Sequence, residues 1–355
     1  MRLAVLGVGL IGGSIGLGAR ERLGAEVIGY DPDPAVGAAA LGHGAVDRFG
    51  STLSETVAGA HAVFVAAPVG QVAPVVGEAL AAVGPECVVS DVGSTKRTVA
   101  RAFADERFVG GHPLAGAETA GVAHARADLF EGATWYLTPG PRASGVLYER
   151  LHRLITGLGA QPAAIDADAH DRLMASVSHL PHVLSNVLVA QAARALGEGE
   201  RMPATGPSFR DATRVAGASS EIWTDIYLTN RDALASCIDD TVDRLRDVRA
   251  RLQAGDGEAL AAWNDAARDD RRALLETGLA GGAVHELHVS VPNQPGVIAD
   301  IALSLGRAGV NIVDMALSPS PDFRQGVVAL WVRGDEHAGR ALELIGSLSF
   351  AVTRA

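Results

Sequence analysis

The sequence is poor in cysteine. Among its 355 residues only Cys87 and Cys237 are cysteines, far apart and in no spacing typical of metal ligands. This excludes a disulfide framework and indicates a reducing compartment, so we expect a cytoplasmic protein.

Clustered positive charge is also missing. The formal net charge is -11, and Lys96 is the only lysine among 30 basic residues. A surface of this sign repels phosphate backbones and anionic membranes, so nucleic acid is not an expected partner. Lys96 either supports a loop or caps a helix, and the sequence leaves both interpretations open.

Long apolar runs are scarce. The apolar N-terminal stretch contains six glycines between Gly7 and Gly18, which interrupt the core that a signal peptide needs. No other run is long enough to span a membrane, so no membrane association is expected. With 48% apolar and 20% charged residues, the composition is that of a globular enzyme with several domains.

Strands alternate with helical patterns up to about residue 165. The predicted strands are Arg2–Leu6, Glu26–Tyr30, Ala62–Ala66, Cys87–Asp91 and Arg107–Gly110. This alternation predicts an α/β fold, with a Rossmann-type doubly wound parallel sheet over residues 1–165.

Residues 166–280 are predicted to form an all-helical domain. Apolar residues three or four positions apart from Leu234 to Leu252 indicate one amphipathic helix. It is predicted to begin after Ser219 or Ser220 and to be unusually long. Packing against a second subunit would use that length, which predicts a homodimer, although packing within one bundle also explains it.

A third domain, residues 284–355, follows a glycine-rich joint at Gly278–Gly282. Its pattern is strand (Val284–Val291), helix (Val297–Ala308), strand (Val310–Leu317), strand (Val327–Val332), helix (Glu336–Ser347) and strand (Phe350–Thr353). This order predicts a ferredoxin-like βαββαβ arrangement.

A glycine fingerprint follows the first strand. Gly7 permits a tight turn, Gly9 lets a pyrophosphate approach the backbone, and Gly12 allows close helix packing. Leu10 and Ile11 open the helix, whose N-terminus would face the anion.

Acidic residues follow the second strand. Asp31 ends that strand, where a carboxylate would hold a ribose 2'-hydroxyl. Asp33 follows without an adjacent arginine, so NAD is favoured over NADP. Pro68 and Ser94, after later strands, complete the predicted cofactor site. The alternative is a glycine-rich turn with a surface aspartate.

Two further strand ends carry polar residues. One is followed by Asp91–Lys96, and the next by Gly110–Glu118, which includes His112. Open α/β sheets bind ligands beyond the carboxyl ends of their strands. A loop histidine there can exchange a proton when a hydride leaves a carbinol carbon, although an isolated histidine is often structural.

The helical half adds His179 and His182, downstream of His170 and Asp171. Pro181 should kink or restart the helix and leave both imidazoles near the break. Two histidines with a proline between them lack zinc-site spacing, so no metal is expected.

Arg210 and Arg214 are four positions apart and can share a helix face. Guanidinium groups suit the binding of a carboxylate. A solvated helix face explains the two arginines equally well.

Together these motifs resemble the prephenate/arogenate dehydrogenase family of tyrosine biosynthesis with a C-terminal ACT domain, over nearly the whole chain. The resemblance rests on Gly7–Ser14, Asp91–Lys96, Gly111–Glu118, Ser178–His182, Phe209–Arg214 and Trp223–Ile226. It implies oxidative decarboxylation of prephenate to 4-hydroxyphenylpyruvate with NAD, or of arogenate to tyrosine.

The resemblance also implies roles for single residues. His112 would be the catalytic histidine at the substrate ring hydroxyl, Ser94 would help to place that hydroxyl, and Arg214 would bind a carboxylate. The other implied substrate-site residues are Arg210, His179, His182 and Glu118.

The implied ACT domain would bind an amino-acid effector, with feedback by tyrosine as its role. The residues implied in binding are Asn293, Gln294, Pro295, Gly296, Asn311 and Ile312. A module that only dimerises is the alternative.

Two other classes of protein were weighed against this one. A β-hydroxyacid-type dehydrogenase usually uses a catalytic lysine in its helical half, whereas the only lysine here is Lys96. A sensor that binds a dinucleotide and an amino acid without turnover would not need Ser94, His112 and Arg214 together.

Overall fold

The computed structural model describes residues 1–116, 119–194, 205–277, 284–292, 294, 297–310, 312–320 and 324–355. They form two compact units. The first comprises Met1–Glu200 and Thr213–Thr241, and the second comprises Arg201–Ala212 and Val242–Ala355.

The first unit contains the strands up to residue 164. They are β1 (Arg2–Leu6), β2 (Glu26–Tyr30), β3 (Arg48–Phe49), β4 (Ala62–Val65), β5 (Val88–Asp91), β6 (Val109–Pro113), β7 (Thr134–Pro139) and β8 (Gln161–Ala164).

Helices alternate with these strands and then follow them. They are α1 (Leu10–Leu23), α2 (Pro34–Gly42), α3 (Leu53–Val57), α4 (Val69–Ala82), α5 (Arg97–Ala102), α6 (Gly145–Gly157), α7 (Ala167–Met174), α8 (Leu180–Arg194), α9 (Pro207–Thr213), α10 (Ser220–Thr229), α11 (Arg231–Ala254) and α12 (Gly257–Thr277).

A parallel sheet of five strands, in the order β3-β2-β1-β4-β5, is the centre of the first unit. Successive side chains of a strand point to opposite faces. Leu3 and Val5 accordingly join one apolar core, while Ala4 and Leu6 join another. Both faces are covered, so the predicted Rossmann-type parallel sheet is confirmed.

Strand β6 differs from its prediction. It pairs antiparallel with β7 from Val109 to Pro113, and β7 pairs with β8 in a sheet of three strands. Among the described residues, the ladder between the large sheet and this segment is a single parallel β-bridge, which joins Val89 of β5 to Phe108, the residue before β6. Because pairing with β7 extends the strand, His112 lies within it, and the prediction of a loop histidine is wrong.

The predicted long helix is interrupted. Helix α10 ends at Thr229 and α11 begins at Arg231. Between them, Asn230 is fully buried, and its Nδ2 donates to the carbonyl oxygen of Asp171 at 2.7 Å. The prediction of one uninterrupted helix is therefore wrong, because the side chain of Asn230 serves a tertiary contact at the break.

One helical stretch is long. Ala167–Arg194 spans 28 residues and is, by length and composition, apolar enough to cross a membrane, which the sequence prediction missed. Its buried residues include His170, Asp171 and His179, all with hydrogen-bond partners. Only 28% of the apolar stretch of this helix is buried, so these satisfied polar groups belong to the packed part of its surface.

The winding of this stretch changes in its middle. Ala175–His179 is π-helical, and the α-helical pattern restarts at Leu180. A proline removes an amide donor and crowds the carbonyl four residues before it. The predicted restart near Pro181 is observed as this π-helical turn, a feature frequent at functional sites.

The C-terminal part of the second unit is an antiparallel sheet covered by helices. Its elements are β9 (Val284–Pro292), α13 (Val297–Arg307), β10 (Ile312–Pro319), β11 (Gln325–Arg333), α14 (Asp335–Ser347) and β12 (Ala351–Arg354). The strand order is β10-β11-β9-β12. The predicted βαββαβ succession is observed, with small shifts at the ends.

Candidate active site

The glycine turn (Gly7–Gly12) joins β1 to α1. Gly7 has a φ of +93°, and a Cβ there would stand 2.5 Å from the carbonyl oxygen of Ala66. A Cβ on Gly12 would stand 2.0 Å from the carbonyl oxygen of Gly7. Both positions therefore require glycine.

The space in front of the turn is open. Apart from Gly9 and its neighbours in the chain, no heavy atom of the described residues lies within 4 Å of where a Cβ of Gly9 would stand, and none of their side chains caps the N-terminus of α1. Leu10 and Ile11 begin that helix and pack against the core. Free amides at a helix N-terminus suit an anion, so this part of the site fits a dinucleotide pyrophosphate.

Asp31 is bound to the same turn. Its Oδ2 accepts from the backbone amide of Val8 at 3.0 Å, and its Oδ1 accepts from the amide of Asp33 at 3.0 Å. An ionised carboxylate has about four acceptor positions, so capacity for a ribose hydroxyl remains. Pro68 follows β4 at the same edge of the sheet and precedes α4.

A cleft of about 330 Å³ brings together several predicted residues. Ser94 follows β5, His112 lies in β6, and His179 ends the π-helical turn. All three line the cleft, together with Met174 and Trp223.

His112 is part of a hydrogen-bonded series of side chains. Its Nδ1 lies 2.9 Å from Nε2 of His170, and Nδ1 of His170 lies 2.9 Å from Oδ1 of Asp171. His170 and Asp171 are fully buried. We call these three residues the histidine–aspartate network.

The charge of Asp171 orders the protons of this network. Burial alone would raise its pKa, but hydrogen bonds from His170 and from the backbone amides of Lys96 and Arg97 make the net effect a lowered pKa. An ionised Asp171 requires a proton of His170 on Nδ1, so in the neutral form of His170 its Nε2 accepts from Nδ1 of His112. In that tautomer the lone pair of His112 is on its Nε2.

The electrostatic surroundings keep His112 neutral. Burial lowers its pKa well below the usual value, and the charges of His170 when protonated, of Lys96 and of His179 when protonated add to this effect. A neutral imidazole with a free lone pair in a cleft can act as a general base.

His179 has the opposite hydrogen-bonding character. Its Nδ1 lies 3.1 Å from Nδ2 of Asn230, and burial lowers its pKa to about 4. Because Nδ1 accepts from the amide, a neutral His179 carries its proton on Nε2. The cleft thus contains one imidazole suited to accept a proton and one suited to donate a hydrogen bond.

His182 packs against Trp223 and is not among the described residues that line the cleft. Its ring stacks on the indole with centroids 3.6 Å apart and planes 6° apart. Its Nδ1 contacts the hydroxyl of Tyr227, and burial lowers its pKa. His182 therefore orients Trp223.

The structure does not place every predicted residue in the cleft. Glu118 lies outside the described residues. Arg214 is exposed and is not among the described lining residues. Arg210 belongs to the second unit, where its guanidinium donates to the carbonyl oxygen of Thr205 at 3.1 Å.

The predicted effector residues are only partly described. Asn293, Pro295, Gly296 and Asn311 lie outside the described residues. The backbone amide of Gln294 donates to the carbonyl oxygen of Pro292 at 2.9 Å. Ile312 begins β10.

No role was predicted for His170, Asp171, Asn230 or Trp223. The adjacent histidine and aspartate were an available signal for the first two, although α7 also carries the charged residues Asp168 and Arg172. The Trp223–Ile226 motif was noted without a function, and Asn230 gave no signal.

The fold and the site together define a class. A turn that fits a pyrophosphate and a neutral histidine base occur in the same unit, as in a Rossmann-type dehydrogenase.

Comparison with known proteins narrows this class. The family model described as prephenate dehydrogenase, nucleotide-binding domain, matches residues 15–163, and the one described as its dimerization domain matches residues 166–265. Prephenate dehydrogenase of Bacillus subtilis is 32% identical over an alignment that covers 97% of this chain and 95% of that protein. The chain belongs to the prephenate dehydrogenase family.

Solved structures are similar over most of the chain. Prephenate dehydrogenase from A. aeolicus, in complex with hydroxyphenyl propionate and NAD+, has a TM-score of 0.73 and 25% identity, over 77% of this chain and 98% of that one. Synechocystis arogenate dehydrogenase has a TM-score of 0.67 and 27% identity, over 76% of this chain and 99% of that one.

Proposed function

We propose that the protein is an NAD-dependent prephenate dehydrogenase, which converts prephenate to 4-hydroxyphenylpyruvate with loss of CO2. The observation that carries the proposal is the histidine–aspartate network, which leaves the lone pair of His112 available in the cleft. Family membership supports the substrate class.

The cofactor site is formed by residues of the glycine turn and of the neighbouring strand ends. Gly7, Gly9 and Gly12 would hold the pyrophosphate, and Asp31 would bind the adenosine ribose, with Leu10, Ile11, Pro68 and Ser94 around them. When bound, NAD+ supplies the acceptor for the hydride of ring carbon C4. The carboxylate of Asp31 would repel a 2'-phosphate, which favours NAD over NADP.

His112 is the proton acceptor in the proposed reaction. Its Nε2 takes the proton of the ring hydroxyl as the hydride leaves ring carbon C4, which bears that hydroxyl. The positive charge that develops on the imidazole is stabilised by His170 and the ionised Asp171. When the ring carboxylate leaves as CO2 and the ring becomes aromatic, His112 can return the proton to that oxygen.

Other residues position the substrate. We assign Ser94 and Nε2 of His179 as hydrogen-bond donors in the cleft, since both line it. From the family resemblance we keep Arg214 as the residue that binds a substrate carboxylate. Arg210, His182 and Glu118 stay proposed substrate-site residues on the same basis.

The remaining proposals concern organisation and regulation. We propose a cytoplasmic homodimer with domains at residues 1–165, 166–280 and 284–355, and an ACT domain in the last of these that binds tyrosine. The matched dimerization-domain model supports the dimer, and the βαββαβ order supports the ACT domain. Asn293–Gly296, Asn311 and Ile312 are the proposed effector site.

The test is NADH formation by the purified protein with NAD+ and either prephenate or arogenate, each with and without tyrosine. We expect the higher kcat/KM with prephenate and a lower rate with tyrosine. A higher kcat/KM with arogenate would make the protein an arogenate dehydrogenase, and turnover of neither would disprove the proposal. Equal rates with and without tyrosine would indicate that the C-terminal domain serves only for dimerisation.

A further inference from the structure

A buried ion pair lies beside the histidine–aspartate network. Nζ of Lys96 contacts Oδ2 of Asp91, and both residues are fully buried. Removing two charges from water costs several kcal/mol per ion, and the geometry must be supported by further hydrogen bonds to offset this cost. We therefore asked which groups Asp91 and Lys96 bind in addition to each other.

The carboxylate of Asp91 binds two backbone amides, each next to a residue that lines the cleft. Its Oδ2 accepts from the amide of Gly93 at 2.8 Å, and its Oδ1 accepts from the amide of Gly111 at 3.2 Å. Gly93 precedes Ser94, and Gly111 precedes His112. One carboxylate thus fixes the peptide units next to both residues.

Lys96 connects this carboxylate to the network. Its backbone amide donates to Oδ1 of Asp171 at 2.7 Å, and the amide of Arg97 donates to Oδ2 at 3.0 Å. Asp171 therefore caps the N-terminus of α5. Lys96 is the N-cap residue of α5, in line with the helix-cap interpretation, but its side chain makes no capping hydrogen bond.

We propose that Asp91 and Lys96 are positioning residues, which hold Ser94, His112 and Asp171 in the arrangement that the reaction needs without touching the substrate. The proposal rests on the proposed dehydrogenase function. It assigns to the only lysine of the chain the support of the loop between β5 and α5, which carries Ser94.

The charge of Lys96 gives the proposal a measurable signature. Among the described residues, the charged and titratable groups around His112 are His170 on α7, His179 on the π-helical turn, Lys96 before α5, Asp91 at the end of β5 and Tyr136 opposite His112 on β7. After burial and His170, Lys96 is the next contribution that lowers the pKa of His112. Removal of this charge should therefore raise that pKa, an effect that a loss of packing alone does not require.

The main variant is Lys96→Met, which keeps the length of the side chain and removes its charge. Misplacement of reacting groups by about 1 Å costs on the order of 100-fold in rate, so we expect kcat to fall by about 10- to 100-fold while both KM values stay close to wild type. The acidic limb of the kcat profile should move to higher pH. The 15N NMR titration of His112 in the ligand-free protein should show the same direction.

The matched control is Arg107→Met. Arg107 forms an ion pair with Asp105 at 2.7 Å before the start of β6, away from the residues that line the cleft. This variant should keep wild-type kcat and the wild-type titration of His112. An equal loss in both variants would show that any broken ion pair has this effect and would overturn the proposal.

A second variant removes the risk that Lys96→Met does not fold. Asp91→Leu/Lys96→Met replaces both charges by apolar groups, a change that buried ion pairs often tolerate. We expect a folded protein with lowered kcat and retained KM. Wild-type kcat in this variant, or wild-type kcat and an unshifted His112 titration in the single variant, would overturn the proposal.

The NMR measurement separates this proposal from the proposed function. It needs no substrate, so it reports on the ion pair even if the wild-type protein turns over neither prephenate nor arogenate. Failure of the proposed function would instead be seen in the wild-type assay alone.

Discussion

The glycine turn and the histidine–aspartate network belong to the same unit, but they are built in opposite ways. The turn depends on missing side chains, since a Cβ at Gly7 or Gly12 would collide with a carbonyl oxygen. The network depends on buried polar side chains that each need a partner. In the proposed enzyme, cofactor binding would depend on local backbone shape and proton transfer on long-range hydrogen bonds, so mutations should affect the two separately.

The largest effect is expected for His112→Asn, which removes the proposed base. General acid–base catalysis contributes about 100- to 10,000-fold, and kcat for NADH formation should fall within this range. The KM for NAD+ should stay near wild type because the glycine turn is unchanged. Near wild-type kcat would show that His112 is not the base.

A smaller loss is expected for Asp171→Asn. Without the carboxylate the proton of His170 is no longer held on Nδ1, and the lone pair of His112 is no longer fixed on Nε2. We expect kcat to fall by about 100-fold, in line with other acid–base contributions.

The control for this variant is Asp168→Asn on the same helix. Asp168 forms a partly exposed ion pair with Arg101 at 3.1 Å, and exposed pairs contribute little. Similar kcat losses for Asp168→Asn and Asp171→Asn would contradict the assigned role of Asp171.

The two kinds of glycine in the turn should separate cofactor binding from stability. At Gly9 a methyl group enters open space, so Gly9→Ala should unfold at the wild-type temperature but bind NAD+ about 10-fold more weakly, a cost of about 1.4 kcal/mol. At Gly12 the methyl group meets a carbonyl oxygen, so Gly12→Ala should lower the melting temperature. Thermal unfolding and NAD+ titration would check both, and identical behaviour of the two variants would disprove the distinction.

The smallest effect concerns pH. The pKa of His179 is about 4 and that of His112 is well below its usual value, so both imidazoles stay neutral as the pH falls through about 6.5. We expect kcat/KM to be flat through that pH and to fall only in more acidic solution. A limb centred at about 6.5 would show an ordinary histidine instead.

The lowered pKa of His179 also makes the stability of the fold depend on pH. The unfolded chain binds protons near pH 6.5, whereas folded His179 binds one only near pH 4. The unfolded state therefore holds more protons between these values, and stability should decrease as the pH falls across this window. Melting temperatures measured from about pH 7 to 4.5 would check this, and a constant value would contradict it.

The parts of the fold that were predicted from sequence depend on local constraints. The glycine spacing and the β-rich runs placed β1, β2, β4 and β5 almost correctly, because turns and strand periodicity are encoded in neighbouring residues. Strand β6 was placed too early and its partner β7 was missed. Which strand pairs with which is decided by contacts distant in sequence, and no local pattern reports it.

The candidate site also contains residues that local patterns predicted and contacts that they did not predict. His112, Ser94 and His179 were predicted from loops, motifs and family resemblance, and all three line the cleft. The contact between Lys96 and Asp171 joins residues 75 positions apart. The apolar spacing that predicted a long helix starts at Leu234, after Asn230, so it carries no sign of the break. These contacts exist because buried polar groups need partners, and a single sequence does not name the partner.

The isolation of Lys96 has a practical consequence. It is the only lysine in the sequence and its side chain is fully buried. A reagent that acylates primary amines can therefore modify the one lysine side chain only after the interior opens. Mass spectrometry of the labelled peptide would report the opening of the structure around Lys96, between β5 and α5, without an introduced probe.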